Sequence, residues 1–110
     1  MLLKNIFPAL AVELKLGLAE IGEDSLSESI DGLEIHGRCG CRQRNCGTFY
    51  TRPRTEWLGE QLRQVIPRVD RLMAIDVWDG SIVCVEFLDR ADVIAHLDQW
   101  ESQALDGKQS

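Results

Sequence analysis

Residues Arg38 to Gly47 read R-C-G-C-R-Q-R-N-C-G, which places three cysteines and three arginines in ten positions without one carboxylate. The spacing Cys-x-Cys-x4-Cys holds Cys39, Cys41 and Cys46 on one short bend, close enough in the chain to share a centre. Thiols at that density do one of two kinds of chemistry. As thiolates they bind a borderline-soft cation such as zinc, which takes four sulfur or imidazole ligands at about 2.0 to 2.3 Å. As reactive thiols they take part in redox exchange, which neighbouring arginines favour by stabilising the thiolate. Arginine stabilises zinc thiolates equally well, so charge does not choose between the two. A third reading has no chemistry in it: Cys39 and Cys41 are buried as small apolar side chains and Cys46 ends a turn.

A zinc centre built here needs a fourth ligand. Cys84 is the remaining cysteine, and His36 is the nearest imidazole in the chain. If strand alternation runs on from Leu33, then Leu33, Ile35, Cys39 and Cys41 share one face, and Glu34, His36 and Arg38 share the other. The expected metal set is therefore Cys39, Cys41, Cys46 and Cys84, with His36 as the alternative fourth ligand. The spacing, with Asn45 before and Gly47 after the last cysteine, resembles the post-SET zinc segment of protein lysine methyltransferases. There the fourth ligand comes from a distant part of the chain. The resemblance covers about ten residues and implies a structural zinc ion. It does not imply methyl transfer, because the chain is too short for a SET domain and lacks its cofactor-binding motifs. The order of a small acidic chain, this cysteine spacing and a late Asp-Gly hairpin is also similar to that of small bacterial proteins.

Composition limits what surrounds the cluster. The chain has 110 residues, 45% of them hydrophobic and 27% charged, which is the profile of one globular domain. We expect that domain over residues 1–105 and a flexible tail over 106–110. Net charge is −6, unevenly distributed: Arg38, Arg42, Arg44, Arg52 and Arg54 give +5 between Ile35 and Thr55, against −11 elsewhere. These arginines are the candidate partner-binding residues. Beside Phe49 and Tyr50 they could stack and neutralise single-stranded nucleic acid, but the acidic remainder repels polyanions and makes a protein partner the first expectation. Ala9-Leu10-Ala11 imitates a signal-peptidase site behind too short and too interrupted an apolar run. No run is long enough to span a bilayer. A cytoplasmic protein with reduced cysteines is the expectation that follows.

The elements that must position the cluster are legible by period and turn chemistry. Leu3, Phe7, Leu10, Leu14, Leu18 and Ile21 form a helical stripe, although Leu10 to Leu18 also alternates as a strand would. Ala, Leu, Glu and Lys decide for helix, with Pro8 tolerated in its first turn. Ser25-x-x-Glu28 has the spacing of a capping box and predicts a second, short helix ending near Asp31-Gly32. Leu33 to His36 and Thr48 to Thr51 read as strands flanking the cysteines. Residues 53–68 are ambiguous between helix and strand, with Leu62 to Ile66 fitting an edge strand before Pro67. Leu72 to Val77 and Ile82 to Leu88 form a hairpin around Asp79-Gly80. A last helix follows, with Asp89 as its cap and Val93, Ile94, Leu97 and Trp100 facing inward. The fold class expected is α+β: an antiparallel sheet of four or five strands in two hairpins, with N- and C-terminal helices packed on one face.

Other residues have plain explanations. Asp79 serves the turn, Glu86 faces water beside Asp76, and Asp92 with His96 forms an exposed pair at i,i+4. Trp57, Trp78 and Trp100 are core or interface anchors. Glycine-rich phosphate loops, H-E-x-x-H and nucleophile elbows are absent from the sequence. The functional expectation is a non-catalytic protein-interaction module with a cysteine-rich structural hairpin, zinc being its possible cofactor. The alternatives are a thiol-dependent redox protein and a nucleic-acid-binding module.

Overall fold

Pro8 opens the helix that organises one side of the molecule, since its missing N–H costs nothing in a first turn. A computed structural model describes residues 1–41, 43–67 and 73–109. In it α1 (Leu3–Ile6) leads directly into α2 (Pro8–Glu20), followed by α3 (Asp24–Ser29) and a single 3-10 turn, Ile30–Gly32. Leu3, Phe7, Leu10, Leu14 and Leu18 are buried, whereas Val12 and Leu16 are exposed at 56% and 66%. The helical period thus decides over the alternating one. Ile21, the last residue of the predicted stripe, lies past the helix end and is exposed.

The capping box does not form. α3 starts at Asp24, one residue before Ser25, because the chain turns sharply at Gly22 (φ +81°) and brings Glu23 back to Leu18, where its N–H donates to the Leu18 carbonyl at 2.9 Å. No side chain caps the helix; the Glu23 carboxylate instead accepts from Arg63 at 2.7 Å. Ser27 turns inward and donates to the Lys15 carbonyl at 2.7 Å, tying α3 to α2.

The sheet has five antiparallel strands in the order β1-β2-β5-β4-β3, where β1 is Gly37–Arg38, β2 Phe49–Tyr50, β3 Arg63–Val65, β4 Met73–Trp78 and β5 Ser81–Phe87. β1 and β2 form one hairpin and β4 and β5 the other. Asp79 and Gly80 both take positive φ, 52° and 76°. That is the two-residue turn whose twist matches the strands it joins. The ambiguous stretch holds both elements: α4 (Arg54–Trp57), one turn long, and then the edge strand β3 ending two residues before Pro67. Leu72 of the predicted strand lies outside the described residues.

α1, α2 and α5 (Ala91–Gln109) cover one face of the sheet. The core between them holds Leu10, Leu14 and Leu18 from α2, Val93 and Leu97 from α5, and Phe49, Ile75, Val85 and Phe87 from the strands. Trp100 packs partly buried against this core, as its helical spacing predicted. The backbone of α5 stays helical through Gln109, into the stretch expected as a tail. On the opposite face α4 lays Trp57 over Val83 and Cys84, with Tyr50, Leu62 and Trp78 around them. A β-bulge explains why Val83 and Cys84 share that face: Val77 pairs with Ile82 and Asp76 with Cys84, leaving Val83 as the extra residue.

The entry to α5 differs from its sequence reading. Asp89 takes φ +60° at the corner between β5 and α5, and the helix begins only at Ala91. Arg90, with its side chain 8% exposed, donates to Asp92 at 2.8 and 2.9 Å and to both oxygens of Glu13 at 3.1 Å. Its guanidinium also lies 5.2 Å from the centroid of the Phe87 ring. The Asp92 carboxylate is therefore not the partner of His96. That imidazole stacks on Phe7, centroids 3.7 Å apart and planes within 5°, and its Nδ1 meets the Asp92 backbone carbonyl at 2.8 Å.

The hydrogen bonds from Arg90 hold the Asp92 carboxyl down to about 2, below its ordinary 3.8. A depressed carboxylate stabilises the fold above its unfolded pKa, and that contribution is lost as pH falls through the folded value. Asp92→Asn should therefore melt below the wild type near neutral pH, with the gap closing between about pH 4 and pH 2. Thermal melts of the two proteins across that range read the effect.

Candidate metal centre

The described residues of the loop between β1 and β2 are docked, not free. Cys39 N–H donates to the Thr48 carbonyl at 2.9 Å, closing the neck of the loop, and Cys46 N–H donates to Gln43 at 3.2 Å inside it. Gly47 N–H donates to the Phe87 carbonyl at 3.0 Å, Asp89 N–H donates to the Asn45 carbonyl at 2.9 Å, and Cys46 bridges to Leu88. The loop thus lies along the end of β5 and the corner into α5. Position 47 is tight: a Cβ there would stand 3.3 Å from both Phe87 Cβ and Val93 Cγ1, so those neighbours would have to give by a few tenths of an ångström.

This docking brings three sulfurs together. The Sγ atoms of Cys39, Cys41 and Cys46 all lie within 4.8 Å of one another, an arrangement that can hold a metal ion. Tetrahedral zinc with bonds of about 2.3 Å sets its sulfurs roughly 3.8 Å apart. Cys39 and Cys46 are half-buried and Cys41 is exposed.

The three thiols are not equivalent. Burial works to raise the Cys46 thiol, but hydrogen bonds from the Thr48 backbone and hydroxyl and from the thiols of Cys41 and Cys39 outweigh it and leave Cys46 below its ordinary value. Cys41 receives a backbone hydrogen bond from Gln43 that favours its thiolate, yet its bonds to Cys46 and Cys39 prevail and raise it. Of Cys41 and Cys46, Cys46 is the one drawn toward its thiolate form, and it is also tied to Gln43 and Leu88.

The expected fourth ligand does not join them. Among the described residues, neither Cys84 nor any histidine or carboxylate belongs to the group of sulfurs. Cys84 is 4% exposed under Trp57, and burial together with the charges of Asp76 and Glu86 pushes its thiol up. A thiol so placed resists becoming the thiolate that a metal requires. His36 faces Glu34, 3.9 Å away, and also stands outside the group.

The face assignment behind that expectation fails at Gly37. Leu33 and Ile35 enter the helix-side core, as alternation requires. Arg38, however, pairs with Phe49 in register and reaches α5, where it bonds Asp98 and, at 3.2 Å, Glu101. Cys39, two residues after the Gly37 that pairs with Tyr50, therefore falls on the side of Tyr50 and not with Ile35.

The arginines are dispersed. Arg38 is neutralised by α5, Arg52 pairs with Glu56 at 3.0 Å, and Arg54 sits 5.6 Å over the Tyr50 ring. Arg44 is exposed and has no ion-pair partner among the described residues. Arg42 lies outside them. Arg38, Cys39, Gly40, Gln43, Arg44 and Cys46 form one wall of a groove of ≈ 630 Å³ whose other wall is Ile94, Asp98 and Glu101 of α5.

The carboxylates elsewhere follow a different pattern from the one expected. Glu86 does not simply face water. Burial, a hydrogen bond to Asp76 and that residue's charge raise its carboxyl, while Gln64 donates to it at 3.3 Å. Sequence reasoning missed the Arg90–Glu13–Asp92 network, and Glu13, 77 positions from Arg90, gives no local signal of it. Comparison with known protein families, curated proteins and solved structures finds no match. Among the described residues no helix is long and apolar enough to cross a membrane.

Proposed function

We propose that this chain is a small non-catalytic protein whose β1–β2 loop binds a zinc ion through Cys39, Cys41 and Cys46, and that the ion fixes the loop as a surface for a protein partner. The observation that carries the reading is the convergence of three sulfurs within 4.8 Å on a loop already anchored at both ends. The resemblance of the spacing to the post-SET zinc segment supports zinc as the ion. Zinc released from such a site lowers stability because binding free energy contributes to folding. Arg44 and Arg54, on or beside the loop, are the cations an acidic partner surface would meet. The alternative ion-free role is thiol redox chemistry, favoured by the lowered Cys46 beside the exposed Cys41.

Metal analysis separates the two. Protein purified without chelator should carry about one zinc per chain, and its three clustered thiols should react slowly with a thiol reagent until chelator is added. Metal-free native protein with one fast-reacting thiol would instead support redox chemistry and end the zinc reading.

A further inference from the structure

Three sulfurs supply three of the four positions that zinc fills, and the described residues supply no fourth. The groove bears on where the fourth comes from. Cys39 and Cys46 line it, so the metal position lies against its wall. The two carboxylates on the facing wall, Asp98 and Glu101, both pair with Arg38 and stand outside the group of sulfurs. Arg44 lines the same groove with no anion of its own among the described residues. The space, ≈ 630 Å³, is in the range of small-molecule sites. A metal with an open position, a cation beside it and room for a small molecule describe a ligand with two anionic ends.

We propose that the zinc held by Cys39, Cys41 and Cys46 keeps one coordination position open to this groove and takes there the thiolate of a small carboxylate-bearing thiol, whose carboxylate pairs with Arg44. The inference rests on the zinc reading above. A sulfur donor suits a soft three-thiolate centre better than water does. The exchange is redox-neutral: one water leaves the metal, one metal–sulfur bond forms, and the thiol's proton passes to solvent.

Cobalt(II) in place of zinc makes the exchange visible in the full-length chain. Mercaptoacetate added to the cobalt protein should raise the sulfur-to-cobalt charge-transfer band saturably by about one third, one sulfur added to three. It should do so at about threefold lower concentration than mercaptoethanol, which has no carboxylate. Arg44→Ala, an exposed substitution, should abolish that preference and leave cobalt binding intact. A spectrum unmoved by either thiol, with cobalt bound, would overturn the proposal. So would a count of four protein sulfurs by X-ray absorption on the zinc-loaded wild type, which would return Cys84 to the shell without relying on a variant of that buried residue. Failure to bind cobalt or zinc at all would overturn the zinc reading itself and this inference with it.

Discussion

Replacing Cys46 by serine should reduce bound zinc from about one per chain to a small fraction, with affinity falling by more than about 100-fold. Loss of groups that only orient a metal ligand already costs 10- to 100-fold, and Cys46 is proposed as a ligand itself. It is also the sulfur whose thiol the Thr48 backbone and hydroxyl and two neighbouring thiols draw below its ordinary value, against the effect of burial. Serine keeps the size and accepts the Thr48 hydrogen bonds, so the metal-free variant should melt close to the metal-free wild type. The difference should appear only when metal is present. At a hundred times its Kd, zinc adds about 2.7 kcal/mol to the wild type, roughly 10 °C or more in Tm for a domain of this size. Paired melts with and without zinc, and metal content by elemental analysis, check both halves. Equal zinc in the variant and the wild type would remove Cys46 from the site.

The largest loss of stability should come from Phe87→Ala. Phe87 is fully buried, and its ring stacks with Phe49 at 6.4 Å and carries the Arg90 guanidinium above it. Its carbonyl accepts the Gly47 N–H that docks the cysteine loop, and its Cβ, with Val93, packs closely against position 47. Truncating a buried phenylalanine costs about 3 to 5 kcal/mol from lost transfer energy and the cavity left behind. That corresponds to roughly 15 °C or more in Tm. The cavity also opens beneath the loop, so zinc affinity of the folded variant should fall although no ligand has changed. Denaturant unfolding reads the first effect and a competitive zinc titration the second. A loss below about 1 kcal/mol would mean that Phe87 does not join sheet, helix and loop in solution.

Much of the fold was legible because local signals agreed with the tertiary outcome. The stripe from Leu3 to Leu18 has one buried face, Asp79-Gly80 takes the backbone conformation that the turn demands, and the edge strand stops short of Pro67. Signals failed where a distant residue competed for the same group. Glu23, engaged by Arg63, stands at the N-terminal boundary of a helix that starts one residue before the expected cap, and Ser27 within it turns toward Lys15. His96 found Phe7 instead of Asp92, whose carboxylate was taken by Arg90.

The cysteine site divides the same way. Spacing along the chain determined that Cys39, Cys41 and Cys46 could meet, because residues on one tight loop lie within a few ångströms whatever the rest of the molecule does. Whether Cys84 joined them depended on tertiary structure alone. The change of face at Gly37 puts Cys39 on the same side of the sheet as Cys84, but the bulge at Val83 and the covering by Trp57 bury Cys84 in a separate apolar cluster outside the group of sulfurs. Periodicity carries the side of a strand only while the ladder stays regular, since each irregular residue reverses every side chain after it.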